Sequence, residues 1–261
     1  GIGGEVWALH GGGFYRAQKF AVAPPELPEP LHWFKWEAYT TWLSGMFMLG
    51  LIYYASAEVY LIDRSVADLS TPASIGIGLA FLAGGWIVYD LLCRSPLGRR
   101  EPILAAVMLV LCAFAAYALT QLYSGRGAYI HFGAMLGTIM TANVFFVIMP
   151  GQREMVKARV DGRAPDPVHG ARGKQRSVHN TYFTLPVLFT MISNHYALFT
   201  NAKWNWLVLM AIALAGVFIR LFFTFRHRGI VKPSFWAIGI ALLAAVFVAL
   251  MPRGAVTAAG E

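Results

Sequence analysis

HNTYFTLPVLFTMISNHY, residues 179–196, is the stretch whose reading decides the fold. It is an apolar run of membrane-spanning length with a histidine at each end. Thr184, Pro186, Thr190, Ser193 and Asn194 interrupt it. At helical rise His179 and His195 stand roughly 24 Å apart, most of the thickness of a bilayer's hydrocarbon layer. A helix that only anchors a protein has no use for imidazoles, an amide and a proline. Polar groups at membrane depth are costly, so their presence points to function. The plainer alternative is that both histidines cap the helix at the two water interfaces, where amphipathic rings are at home.

Composition agrees with a membrane protein. Of 261 residues, 57% are hydrophobic and 13% charged, and the mean hydropathy is +0.56. That is too apolar for an ordinary soluble domain. The net charge of +8 raises the question of nucleic acid. The basic residues lie between apolar runs, however, which is the pattern of membrane topology and excludes a nucleic-acid partner. Cys93 and Cys112 both fall inside apolar segments, so neither a disulfide framework nor a thiolate metal site is expected. The chain opens on Gly1 with no initiator Met and no signal peptide, and reads as a processed or incomplete piece of something longer.

Residues 1–31 form a first region outside the membrane. Residues 5–20, EVWALHGGGFYRAQKF, mix Trp7, Phe14, Tyr15 and Phe20 with Arg16 and Lys19, as a segment lying on a membrane surface would. The HGGG at 10–13 matches an oxyanion-hole motif of some hydrolases, but no G-x-S-x-G nucleophile elbow accompanies it. A flexible turn is the first reading and an anion-binding loop the second. APPELPEP at 23–30 is a stiff connector.

Seven apolar runs follow, near 33–57, 73–93, 102–123, 127–149, 179–200, 204–225 and 233–251. The expected fold is an all-α integral membrane protein. A seven-helix bundle occupies 32–252, and a short tail occupies 253–261. Sixteen of the 21 Lys and Arg fall on the side of residues 1–31, while only Arg64, Arg126, Lys203 and Arg253 fall on the other. Arg220 lies within a helix. This asymmetry predicts a cytoplasmic N-terminal segment and a periplasmic C-terminus. The stretch 151–178 reads as the longest hydrophilic loop. Its basic residues satisfy the topology rule, and they also suit a mobile cover that attracts a small anion.

The first helix opens with His32, Lys35, Trp36 and Tyr39 on one face. A snorkelling lysine in an aromatic belt explains Lys35 and Trp36, but it explains the carboxylate of Glu37 poorly. Gly76, Gly78, Gly84 and Gly85 on the second helix, and Gly133 and Gly137 on the fourth, allow close helix packing; they also leave room for a flat macrocycle. Topology sorts the histidines into two layers: His10, His32, His169, His179 and His227 inside, His131 and His195 outside. The outer pair is a candidate bis-His site for haem b. A proton relay or a substrate site stays open beside it. Zinc is less attractive, because no third or fourth ligand accompanies the pair.

Three blocks then carry a family resemblance: LHGGGFYR at 9–16, LHWFKWEAYTTWLSG at 31–45 and RSVHNTYFTLPVLFTMISNHY at 176–196. They resemble the membrane domain of bacterial membrane-bound, cytochrome c-linked urate hydroxylases, and the likeness runs along nearly the whole chain. The resemblance implies a multi-pass protein of the bacterial inner membrane that oxidises urate to 5-hydroxyisourate. Electrons would leave through a cytochrome c. In that family a further N-terminal helix with its own histidine precedes the first block, and a haem c domain follows the last helix. Here the haem c is expected on a missing C-terminal domain or on a separate partner, within a membrane complex. Urate is an anion, which suits the basic inner face. Its ring would stack on Trp33, Phe34, Trp36 or Tyr39, with His32, Lys35, His179 and Asn180 as polar contacts. His179 or Glu37 would accept the proton, and the His131–His195 haem would carry electrons across the bilayer. The competing readings are a transporter for a purine or another small anion, and a haem-bearing accessory subunit of a respiratory complex.

Overall fold

The computed structural model describes residues 2–20 and 22–251. It is mostly helical and opens on a β-hairpin. Strand β1 (Ile2–His10) pairs antiparallel with β2 (Gly13–Phe20). Gly11 and Gly12 make the turn with φ of +56° and +80°, a backbone that side-chain-bearing residues avoid. The turn expected at HGGG is therefore present. The apolar runs are helical as expected for an all-α membrane protein, and the segment that composition marks as a surface segment adds a pair of strands, with Ile2, Val6 and Trp7 on β1 and Phe14, Tyr15 and Phe20 on β2.

Helix α1 (Trp36–Leu49) runs into a π-helical turn at Gly50–Tyr54 and the short α2 (Ala57–Tyr60). Then come α3 (Thr71–Arg94) and α4 (Glu101–Thr120). Helix α5 (Gly125–Asn143) passes through a second π turn, Val144–Ile148, into α6 (Met149–Val160). Helix α7 (Pro167–Ser193) is followed by α8 (Ala197–Thr200), α9 (Asn205–Arg226) and α10 (Pro233–Leu250). All seven apolar runs are thus helical. Five helices are long and apolar enough to cross a membrane: Thr71–Arg94, Glu101–Thr120, Gly125–Val160, Asn205–Arg226 and Pro233–Leu250. The first run is cut by its π turn. In α7 the amino-terminal half is polar, and the chain breaks after Ser193. The tail at 253–261 lies outside the described residues.

The stretch 151–178 is not a loop. Helix α6 continues to Val160 and α7 begins at Pro167, where the Asp166 carboxylate accepts the Val168 N–H at 2.9 Å. The cause is propensity: Arg, Lys, Gln, Met and Ala are good helix formers, and polarity marks the end of a span rather than the end of a helix.

The chain divides into two compact units, Gly1–Thr41 with Met140–His179, and Trp42–Ile139 with Asn180–Glu261. In the first, Arg159 donates to the Pro25 carbonyl, which ties the connector to the end of α6. Tyr39 packs edge-on against Phe145, and α6 passes α7 so closely that a Cβ on Gly151 would sit 3.4 Å from the His169 carbonyl oxygen.

The second unit holds the apolar core, with Leu49, Leu61, Leu82, Leu119, Phe132 and Leu136 among its buried members. Glycines set its closest helix approaches. A Cβ on Gly85 would meet the Met135 sulfur at 2.9 Å, and one on Gly133 would fall onto the Thr190 hydroxyl. Gly76, Gly84 and Gly137 face open space, so packing accounts for only part of each glycine set. Pro186 sits buried inside α7, opposite Gly216 of α9. Around it the hydroxyls of Thr184, Thr190 and Ser193 bond back to the carbonyls of Asn180, Val187 and Thr190. Such back-bonding satisfies the hydroxyls inside apolar surroundings; the carbonyl that Pro186 deprives of an N–H is a different one, that of Tyr182 four positions earlier.

Candidate functional site

His32, Lys35, Trp36, Glu37 and Tyr39 of the first unit lie together at the start of α1. His32 Nε2 stands 3.6 Å from Glu37 Oε1, and both side chains are largely exposed. The Phe34 ring meets His32 edge-on at 4.4 Å, and the Lys35 ammonium lies 5.5 Å from the Trp36 ring. Trp36, Tyr39 and Phe145 then continue as a row of edge-to-face rings, at 5.9 and 5.5 Å. Cation, carboxylate, imidazole and flat rings are the elements that recognise a planar, hydrogen-bonding anion. Trp33 lines a shallow depression with Glu29, Pro30 and Leu31. His179 is half-buried in the middle of α7, not at a helix end as an apolar-run boundary implies. Asn180, the first residue of the second unit's later segment, is half-buried and its carbonyl accepts from Thr184 at 3.0 Å.

Two buried charges escape a reading by polarity. Arg176, counted above among loop charges, is a helical residue of α7 and only 3% exposed. It precedes His179 by three positions, a spacing that shares a helix face. Asp90, in the second unit, is buried at the end of α3 and receives the Arg94 Nε at 2.6 Å. A single carboxylate inside an apolar run was the available signal for Asp90. For Arg176 the only signal was helical propensity continuing through the polar stretch.

His131 is fully buried within the second unit, and both of its ring nitrogens are engaged. Nδ1 lies 2.8 Å from the Gly127 carbonyl, which can only accept, so Nδ1 carries the proton. Nε2 then accepts from the Tyr54 hydroxyl at 3.2 Å. Tyr123 packs its ring 5.0 Å from the imidazole and donates to the Ser74 carbonyl at 2.6 Å. Tyr53 donates to Asn194 Oδ1 at 2.8 Å. Tyr53 and Tyr54 both come from the π turn, whose extra residue re-aims side chains that a plain α-helix would send elsewhere. His195 is exposed in the turn that follows α7.

A donated Nδ1–H is the arrangement that prepares a histidine to ligate metal through Nε2. The space in front of that Nε2 is filled, however. The Tyr54 hydroxyl stands there at 3.2 Å, and the Gly78 backbone approaches so closely that an added Cβ would lie 2.7 Å from Nε2. The surroundings of His131 therefore do not fit a macrocycle, and its expected partner is an exposed turn residue rather than a helical one. Among the described residues no group of three His, Cys, Asp or Glu is arranged to hold a metal ion.

Apolar helices of crossing length, with buried polar side chains among them, mark a membrane protein. The chain belongs to the urate oxidase N-terminal family, whose match runs over residues 1–251. No curated protein and no solved structure matches it.

Proposed function

We propose that the chain is the membrane part of a bacterial urate hydroxylase that oxidises urate to 5-hydroxyisourate, and family membership along residues 1–251 is the observation that carries this reading. The site lies at the cytoplasmic side of a seven-pass inner-membrane protein whose C-terminus is periplasmic. Urate, as its anion, gains one water oxygen and loses two electrons and one proton. The electrons would pass through a redox group held within the membrane, since the hydrocarbon layer is about 30 Å thick, to two ferric c-type haems on a cytochrome domain or subunit. Lys35 and His32 face the anion's charge and carbonyls, Trp36 and Tyr39 hold the plane of its ring, and Glu37 orients His32. His179 accepts the proton, since imidazole is the side chain whose ordinary pKa lies nearest neutrality. The His131–His195 pair, whose surroundings do not fit haem, takes no part in this scheme. The test is His179→Ala in membranes supplied with urate and ferric cytochrome c. Reduction of the cytochrome should fall by about 100-fold, within the range for loss of a general base, at unchanged membrane insertion. Full turnover in this variant would overturn the assignment of His179.

A further inference from the structure

The β-hairpin is stable only if something covers it. A lone two-stranded hairpin is marginal in water, yet both faces of this one are open. Phe14 is 78% exposed, Leu9 67% and Trp7 61%, and Val6 and Tyr15 on the opposite face are exposed as well. The register arranges one face as a gradient along the strands. The strands end in the apolar pair Ile2 and Phe20; from there toward the turn Glu5 pairs with Gln18, and the carboxylate accepts from Gln18 and from the Trp7 indole, each at 3.0 Å. In the middle Trp7 pairs with Arg16, whose guanidinium lies 5.5 Å from the indole ring and reaches Glu5 at 2.7 Å. Next to the turn Leu9 pairs with Phe14. Polar groups, then a cation on an indole, then bare hydrocarbon follow one another over roughly 13 Å at strand rise. The apolar end is about as deep as interfacial elements bury themselves, roughly 5–10 Å into the boundary between headgroups and acyl chains.

We propose that this hairpin stands tip-first in a bilayer leaflet, with Leu9, Phe14 and Tyr15 at the headgroup–acyl boundary and Trp7 and Arg16 at headgroup level. The occupant of the exposed faces is lipid, in continuity with the surface that the same unit already presents to the membrane. Arg159, which holds the Pro25 carbonyl, ends the crossing-length helix Gly125–Val160. Only four residues lie between Pro25 and the end of β2, so the two are at most about 17 Å apart along the chain. A hairpin tethered that closely, and itself about 26 Å long, reaches the interface. The exposed Phe34 and Trp36, with Lys35 between them, mark the same interface at the start of α1. A Cβ at Gly11 or Gly12 would meet nothing, so the tip is open, and as an irregular turn it stays at the boundary, because non-helical backbone is excluded from the lipid-exposed hydrocarbon itself.

The experiment uses the full chain in lipid nanodiscs, with an environment-sensitive fluorophore on Phe14→Cys and, as the water-exposed reference, on Glu26→Cys. Aqueous iodide and lipids bearing nitroxides at the headgroup end or the chain end serve as quenchers. The proposal predicts severalfold weaker iodide quenching at position 14 than at 26, with strong quenching by the headgroup-end nitroxide. Iodide quenching equal at the two positions would place the hairpin in water and overturn it. Shielding from iodide without nitroxide quenching would also overturn it, since protein, such as a second copy, would then be the cover. Leu9→Cys gives the same readout if Phe14→Cys does not assemble.

Discussion

The Tyr54 hydroxyl meets Nε2 of His131 at 3.2 Å, joining the π turn that follows α1 to α5. In a buried setting such a bond contributes modestly when made, but leaving one partner unsatisfied costs about 1–3 kcal/mol. His131→Leu should therefore lower stability by about that amount, as thermal unfolding in detergent would show. Tyr54→Phe should cost less, because it leaves only Nε2 unpaired while the Gly127 bond persists. The double variant should cost less than the sum of the two singles. Strict additivity would mean that the pair is not coupled.

Gly78 and Gly85 lie two turns apart on α3, but their surroundings differ. A methyl at 78 meets the imidazole at 2.7 Å and the Tyr54 hydroxyl at 3.1 Å, within a packed polar cluster. At 85 it meets the unbranched Met135 side chain, Cγ at 2.5 Å and the sulfur at 2.9 Å, and that side chain can turn aside. Gly78→Ala should destabilise by about 1–3 kcal/mol, the range for overpacking, and Gly85→Ala by clearly less. Equal losses on unfolding would contradict the close approach at Gly78.

Glu5 provides a pH test of the hairpin. Its carboxyl is held below the ordinary value of 4.5, first by Arg16 and then by Gln18 and Trp7, against a small opposing effect of burial. A carboxyl whose folded pKa is depressed stabilises the fold above its unfolded pKa. That contribution disappears as pH falls through the folded value. Amide exchange of residues 2–20 in the full chain, corrected for the intrinsic pH dependence, should accelerate below about pH 4.5. Glu5→Gln should remove that acceleration. A variant that keeps it would exclude Glu5 as the cause.

The positions of the helices were legible from hydropathy alone, because every apolar run is helical. Their ends were not. Polarity at 151–178 reports where a bilayer stops, while α6 and α7 continue through it on helix-forming residues. The hairpin turn was legible in the three glycines after His10, but the pairing of strands on either side was not, since its alternation is weak and neither face is buried. Gly78 was legible only as a small residue. Its neighbours Tyr54 and His131 are 77 positions apart, a relation no local pattern carries. Of the residues assigned to urate, His32, Lys35, Trp36, Glu37 and Tyr39 gather because they share one short stretch. The burial of Asp90 and Arg176 depends on helix packing and had to be seen in three dimensions.

The topology makes a prediction of its own. A reporter active only in the periplasm should be active when fused after Glu261 and silent when inserted beside Asp166, in the short connection before α7. The opposite pattern would reverse the charge-based orientation and move the proposed urate site to the other face.

The central claim is urate oxidation, and its most direct measurement follows substrate and electrons together. Membranes containing the chain are given urate and excess ferric c-type cytochrome without oxygen. The account predicts that urate disappears, 5-hydroxyisourate appears in equal amount, and two cytochromes are reduced for each urate consumed. Urate that accumulates unchanged inside sealed vesicles, with the cytochrome left ferric, would contradict it and make the protein a carrier.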